Sequence, residues 1–230
     1  MANKIEVGDN MKKKKRSKLN LFVGTGVLLL AVVGLVSLIS AGVQKVSDNL
    51  QAKNAEKYSA YEEFIAPVIM NDPDTFDDVT VADPSQLISI TIWSLLDSNA
   101  EPDKYEYTDE GMLLPEKDVE EKFISLFGNE VKVNHSNVDG GGIDFKHSEK
   151  KKAYLIPITG ITPIYTPKVI SAKENSSSVE LIVGYLSSTD WQQDSDGNMI
   201  APEPGKYMKI TLGKNSDKSY FVRAIQTNSD

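Results

Sequence analysis

Twenty-five consecutive residues, Leu19 to Val43, carry no charge and read LNLFVGTGVLLLAVVGLVSLISAGV. As a helix rising about 1.5 Å per residue they would extend roughly 37 Å, enough to cross a hydrocarbon core of about 30 Å with some tilt. Gly24, Gly26 and Gly34 would weaken a water-soluble helix but are common in membrane helices. The run KKKKRSK at 12–18 abuts the segment. The positive-inside rule then places the N-terminus in the cytoplasm and everything after Val43 outside. A cleaved secretory signal is the main competitor, since Ser40-Ala41-Gly42 is small, but its apolar core would normally be about 7–15 residues. A buried core helix would show a polar face, and none is present. G-x-x-x-G spacing is absent, so a homo-oligomer through this segment stays open without a motif to drive it.

Charge divides the chain in the same places. Residues 1–18 hold seven Lys/Arg against Glu6 and Asp9, giving +5, and 19–43 are neutral, so a formal total of −8 leaves −13 on residues 44–230. An acidic body repels phosphate, which speaks against a nucleic-acid partner. The basic run reads as a topology signal that also touches anionic lipid heads of the bilayer. Cysteine is absent. That excludes disulfide scaffolds, thiolate metal sites and cysteine nucleophiles.

Beyond the neutral segment the organisation predicted is a basic cytoplasmic tail at 1–18, the transmembrane helix at 19–43, a helical stalk at 44–57, an extracytoplasmic domain at 58–226 and a tail at 227–230. Apolar residues at Val46, Leu50, Tyr58, Tyr61, Ile65 and Val68 make a helical stripe, which Pro67 should kink or end. Asp83-Pro84 is a helix start, with Asp as cap and Pro in the first turn. The segment behind it, SQLISITIWSLLDS, is apolar almost all round and belongs inside a fold, with a strand as the alternative. Leu113-Leu114-Pro115 opens a third helix whose stripe is Val119, Phe123, Leu126 and Phe127 and whose stop is Gly128. From 130 the period changes. Short strands are expected at Val131–Val133, Ile143–Phe145, 153–158, 168–172, 179–186, 206–212 and 219–225, separated by polar turns such as Asp139-Gly-Gly-Gly142.

Helices followed by strands make an α+β order, with an antiparallel sheet curling around the helices. The long first helix, the apolar second, LLPEKDVEEKFISLFG and the series YTPKVISAK, SVELIVGYL, KYMKITL and SYFVRAI over residues 55–226 resemble the NTF2-like or cystatin-like cone. The same region resembles membrane-anchored extracytoplasmic proteins of Gram-positive bacteria. One-helix anchors with such an outer domain are also the plan of assembly subunits in conjugation and type IV secretion machines. The resemblance implies about three helices on a curved antiparallel sheet. It also implies a non-catalytic interaction or scaffold domain in the cell envelope that contacts another envelope protein. The competing implication is a small-molecule-binding or enzymatic pocket inside the cone.

Candidate chemistry is sparse. Gln192 to Glu203 places Asp194, Asp196 and Glu203 at positions three, five and twelve of a calcium loop, around Gly197 at position six. Gln192 stands where the first carboxylate belongs, and Pro202 and Pro204 oppose an exit helix, so a strand-to-strand turn competes with a calcium cofactor. His135 and His147 flank the triple glycine and could approach on a hairpin, although surface histidines in turns are the plainer expectation. The carboxylates at 72–78 and 116–121 read as a solvated face. Ser148 and Lys151 have the spacing of a Ser–Lys dyad but lie in the run SEKKK. No phosphate loop, nucleophile elbow or zinc-protease motif occurs, so no catalytic residue is expected. Pocket or interface candidates are the aromatics Trp93, Phe123, Tyr154, Tyr185, Trp191 and Tyr207, which could line a cavity or share a binding face.

Overall fold

A computed structural model of the chain describes residues 50–98, 104–158, 160 and 162–228. The basic tail, the expected membrane segment and the first part of the stalk lie outside these residues. Among those described, no helix is long and apolar enough to cross a membrane.

Among the described residues the fold is mixed α+β, with three α-helices and antiparallel sheets. Helix α1, Leu50–Ile69, crosses the expected boundary between stalk and outer domain without a break, and Pro67 sits in its last turn. It buries Tyr61, Ile65, Val68 and Ile69, the face that the stripe predicted. Helix α2 is Pro84–Ser98. The Asp83 carboxylate accepts the Ser85 N–H at 2.9 Å, capping the start as expected. Residues Leu87, Ile88, Ile90, Ile92 and Trp93 are all buried. The buried Thr91 hydroxyl is satisfied by the Leu87 carbonyl at 2.8 Å. Helix α3, Glu116–Phe127, buries Val119, Phe123, Leu126 and Phe127. Gly128 ends it with φ +77, a conformation that an L side chain rarely adopts.

The strands outnumber those expected and divide into three groups. Strands β1 (Glu106–Tyr107), β2 (Met112–Pro115), β3 (Val138–Asp139), β4 (Asp144–Ser148) and β5 (Ala153–Ile156) form a sheet ordered β1-β2-β5-β4-β3. Strands β6 (Tyr165–Glu174), β7 (Ser178–Ser187), β10 (Lys206–Lys214) and β11 (Tyr220–Thr227) form a second, ordered β11-β10-β7-β6. Strands β8 (Gln192–Gln193) and β9 (Met199–Ile200) make a separate hairpin. A single curved sheet was expected. The linker between β5 and β6 contains Pro157 and Pro163, which lack the N–H that a continuous ladder needs. Two further expectations change. Leu113 and Leu114 lie in β2, opposite Leu155 and Tyr154, and the helix begins only after Pro115. Val131–Val133 forms no strand. It belongs to an irregular loop, and the pairing partner of β4 is Val138–Asp139 instead.

Both sheets and all three helices contribute to one buried cluster. Helix α1 lies along β6, an edge strand, and runs antiparallel to it. The Met70 carbonyl accepts Ile164 N–H at 2.7 Å at one end. In the middle the Glu62 carboxylate accepts Val169 N–H at 2.8 Å. At the other end Lys57 meets Glu174 at 2.6 Å, and the Tyr61 hydroxyl donates to the same carboxylate. Burial pushes the Glu62 carboxyl up, while the Val169 N–H and Lys168 pull it down less strongly. Glu62→Ala therefore strands a buried N–H and is expected to cost about 1–3 kcal/mol. Glu62→Gln keeps an acceptor without a buried charge and should hold or raise stability. Urea unfolding of both variants checks the pair.

Candidate functional site

Helix α3 presents Glu116 and Glu120 one turn apart, hence on one face. The sheet beside it offers His147 on β4, opposite Tyr154 on β5. The loop after α3 returns His135 to the same place. The two imidazoles stack, with centroids 5.3 Å apart and planes 14° from parallel. His147 Nε2 lies 2.7 Å from Glu116 Oε1, and His135 Nε2 lies 3.2 Å from Glu120 Oε1. His135 Nδ1 lies 3.0 Å from the hydroxyl of Tyr154, a fully buried residue. Burial pushes the Tyr154 phenol up to about 12. The histidine side chains are only 13% and 8% exposed. The expectation of surface histidines in turns is thus overturned, because the β4–β5 register and the loop's return bury them together. Among the described residues no group of three or more His, Asp or Glu is arranged to hold a metal ion. The donors pair off in twos instead.

The acidic runs are solvent-facing at Asp74, Asp77, Glu120 and Glu121, as expected, and several of their carboxylates also have local partners. Asp72 pairs with Lys206, Asp77 accepts from Gln226, and Asp78 accepts from the Thr80 N–H and from Arg223. Asp118 meets Lys104 at 2.7 Å and accepts from the Tyr105 hydroxyl at 2.9 Å. These residues add a set of local clasps to a face that stays in contact with solvent. A cleft of about 170 Å³ lies beside them, bounded by Lys104, Tyr105, Leu113, Pro115 and Lys152. None of the expected pocket residues lines it.

Four of those six residues are interior. Trp93 donates from Nε1 to the Gly140 carbonyl at 3.0 Å and meets Phe145 edge-on at 5.3 Å. A side chain at Gly140 would strike the Phe145 ring, so the triple glycine is a packing contact as well as a turn. Phe123 packs edge-on against Phe127. Tyr154 belongs to the histidine cluster. Tyr185 is fully buried beneath Lys206, whose ammonium lies 4.9 Å from the ring centroid. Burial and then the Asp72 charge raise the Tyr185 phenol. The other two lie at the surface: Trp191 is half-buried, and Tyr207 is 44% exposed.

Trp191 opens an arm, residues 188–205, that leaves β7 and returns to β10. Its roots are Ser188 N–H to the Ile164 carbonyl and Gly205 N–H to the Tyr185 carbonyl, each at 3.0 Å. Within it the calcium-loop candidates are placed as follows. Asp194 accepts from the N–H groups of Asp196 and Asn198 at 2.9 and 2.8 Å and from Asn198 Nδ2 at 3.0 Å. Those donors pull its carboxyl below the ordinary range. Asp196 and Glu203 are exposed. Gly197, at φ +86, closes the β8–β9 turn. Ser148 and Lys151 form the β4–β5 turn, with Lys151 N–H on Ser148 Oγ at 3.3 Å.

No family model, no curated protein and no solved structure matches this chain.

Several carboxylates are held below their ordinary range. Asp78 is held so by Thr80, Asp118 by Lys104 and Glu174 by Lys57. Burial pushes Glu116 up, but the His147 hydrogen bond and nearby cationic groups carry it below. A folded pKa beneath the unfolded one stabilises above the unfolded value and is lost as pH falls through the folded value. The carboxylate-driven fall in melting temperature should therefore set in below about pH 4.5. Thermal melts from pH 6 to 3 check this, and Glu174→Gln should flatten the acid limb.

Proposed function

We propose that this chain is a single-pass membrane protein whose outer domain is a non-catalytic interaction module of the bacterial cell envelope. In this reading residues 19–43 anchor it in the bilayer, α1 continues the stalk, and residues 58–226 form a domain of NTF2-like or cystatin-like architecture. The topology rests on the uncharged 25-residue segment bounded by KKKKRSK. The fold assignment draws support from three helices that share one core with antiparallel sheets.

The interaction role rests on one observation above all, the composition of the arm. Residues 188–205 hold Asp190, Asp194, Asp196 and Glu203 and no Lys or Arg. The arm's hairpin pairs with neither large sheet, and a two-stranded hairpin alone is marginal in water. It carries Ile200, 49% exposed, and beside its roots stand Ile164 at 52% and Tyr207 at 44%. An acidic rim around apolar side chains is complementary to a basic surface with an apolar socket. The partner proposed is an envelope protein presenting such a surface, within a larger assembly of the secretion or conjugation kind.

Two measurements test the two halves of this reading. The chain has no native cysteine, so single replacements label without background. In intact cells an impermeant maleimide should modify Ser195→Cys and leave Ala2→Cys untouched until the cells are lysed; the reverse pattern would sink the topology. A photocrosslinking residue at Ile200 or Tyr207 should give one adduct of constant mass in cells. That adduct should fade when Asp190, Asp194, Asp196 and Glu203 are neutralised together. Equal adducts from the control positions Tyr107 and Ile124 would count against the arm.

A further inference from the structure

We propose that the partner of the acidic arm is a second copy of this chain, whose lysine-rimmed cleft beside β1, β2 and β5 takes the arm's Ile200. The inference rests on the reading of the arm as an interface and adds what occupies the other side.

The cleft follows from one residue. Thr108 and Gly111 exchange both backbone hydrogen bonds. Leu113 is then the next β2 residue whose backbone faces β1, and Pro115 the one after it. Proline has no N–H to give the ladder. The β1–β2 pairing accordingly stops at Glu106–Leu113, and a cleft opens beside it. Leu113 and Pro115, two apart, share one face of the sheet, and Ala153 stands opposite Pro115 on that face. These three make an apolar floor. Leu113 and Ala153 are buried, yet neither belongs to the core cluster that the helices and sheets share. Lys104, Lys151 and Lys152 line the cleft with a single carboxylate, Glu106, which leaves its lining at +2. Lys104 and Lys152 also meet Asp118 and Glu116 of α3, whereas Lys151 and the adjoining Lys150 form no ion pair among the described residues. Lys150 to Lys152 is the only run of three cations in residues 44–230.

The arm is the counterpart in size, polarity and sign. A void of about 150 Å³ holds one benzene, so a cleft of about 170 Å³ accommodates one branched aliphatic side chain. Ile200 is such a side chain and is half exposed. Asp190, Asp196 and Glu203 of the same arm are exposed, and none of the arm's four carboxylates forms an ion pair among the described residues. Docking thus brings unpaired anions to unpaired cations. Arm against arm would instead set like charges together, which disfavours a symmetric contact. The arm is rooted in the four-stranded sheet and the cleft lies in the five-stranded one, and no arm residue lines the cleft of its own chain. The contact is therefore head to tail. Each copy offers its arm to one neighbour and its cleft to another, and the series closes into a ring or continues as a row.

The absence of native cysteine makes the test direct. The full chain is expressed in cells in two differently tagged forms, Ile200→Cys and Lys151→Cys, and the membranes are mildly oxidised. A disulfide-linked dimer carrying both tags is expected, with at least about tenfold less dimer from either form alone. Both substitutions on one chain should give dimers, trimers and larger species, as a head-to-tail contact requires. Asp196→Lys with Glu203→Lys on the arm copy should cut the mixed dimer about tenfold, and so should Lys150→Glu with Lys152→Glu on the cleft copy. Combining the two reversals should restore most of it, a recovery that misfolding would not produce. Reversals that fail to restore one another overturn the second-copy partner, and so does absence of the mixed dimer. In that case a photo-adduct at Ile200 with the mass of a different protein leaves the arm an interface, while no adduct at all removes the reading on which the inference rests.

Discussion

The four-stranded sheet has two edges, and the rest of the structure depends on how they are closed. An uncovered edge offers unpaired backbone groups to any passing strand. Helix α1 closes β6 with contacts at three levels, and the middle one is a buried carboxylate placed on a strand N–H. The register between Val169 and Ser171 shifts there, and β6, as an edge strand, turns alternate N–H groups away from its one neighbour. The opposite edge is closed by the loop after α1. Phe76 exchanges both backbone hydrogen bonds with Ile225, at 2.8 and 3.0 Å. Asp78 and Asp77 fix Arg223 and Gln226 beside it. One stretch of chain, from the helix through the acidic loop, thus seals both margins and leaves the faces for packing.

The same economy governs charge. Residues 44–230, at −13, have many carboxylates to place, and those near the fold's seams each have a donor. Asp72 joins the end of α1 to the start of β10, Glu174 joins α1 to the far end of the sheet, and Asp118 holds the 104–105 segment to α3. Such pairs are partly exposed, and each adds little stability in salt. Their effect is to fix register between elements. The histidine cluster differs in kind, because its two imidazoles are mostly shielded from solvent.

Local signals in the sequence carried well. The α3 stripe of Val119, Phe123, Leu126 and Phe127 is buried in full, the Asp83-Pro84 start and the Gly128 stop stand where their chemistry puts them, and alternation at Met208, Ile210 and Leu212 marks the inner face of β10. Non-local pairing was not legible. Leu113-Leu114 looks like the entry to a helix until β5 is placed beside it. Val131–Val133 alternates like a strand, yet the polar side chains that follow fasten that stretch as a loop. His135 and His147 are separated by a triple glycine, and only the opposition of His147 to Tyr154 across a hairpin makes their meeting inevitable. A usable hint existed in the one-turn spacing of Glu116 and Glu120, which presents two acceptors on one helical face. It had meaning only once two donors were known to lie opposite.

The direction of α1 also fixes which end of the domain faces what. Lys57 and Tyr61 lie near the helix start and bind Glu174, at the turn between β6 and β7. Met70 follows the helix end and binds the start of β6. The arm is rooted at that second end, through Ile164 and Tyr185. On the anchored reading the chain enters α1 from the bilayer, so the β6–β7 turn lies toward the membrane and the acidic arm away from it. A negatively charged leaflet surface would repel four uncompensated carboxylates held against it. Placed at the outer end, beyond about one Debye length, the same carboxylates are free to attract a basic partner. The antiparallel docking of one helix on one edge strand thereby couples the closure of the sheet to the presentation of the arm.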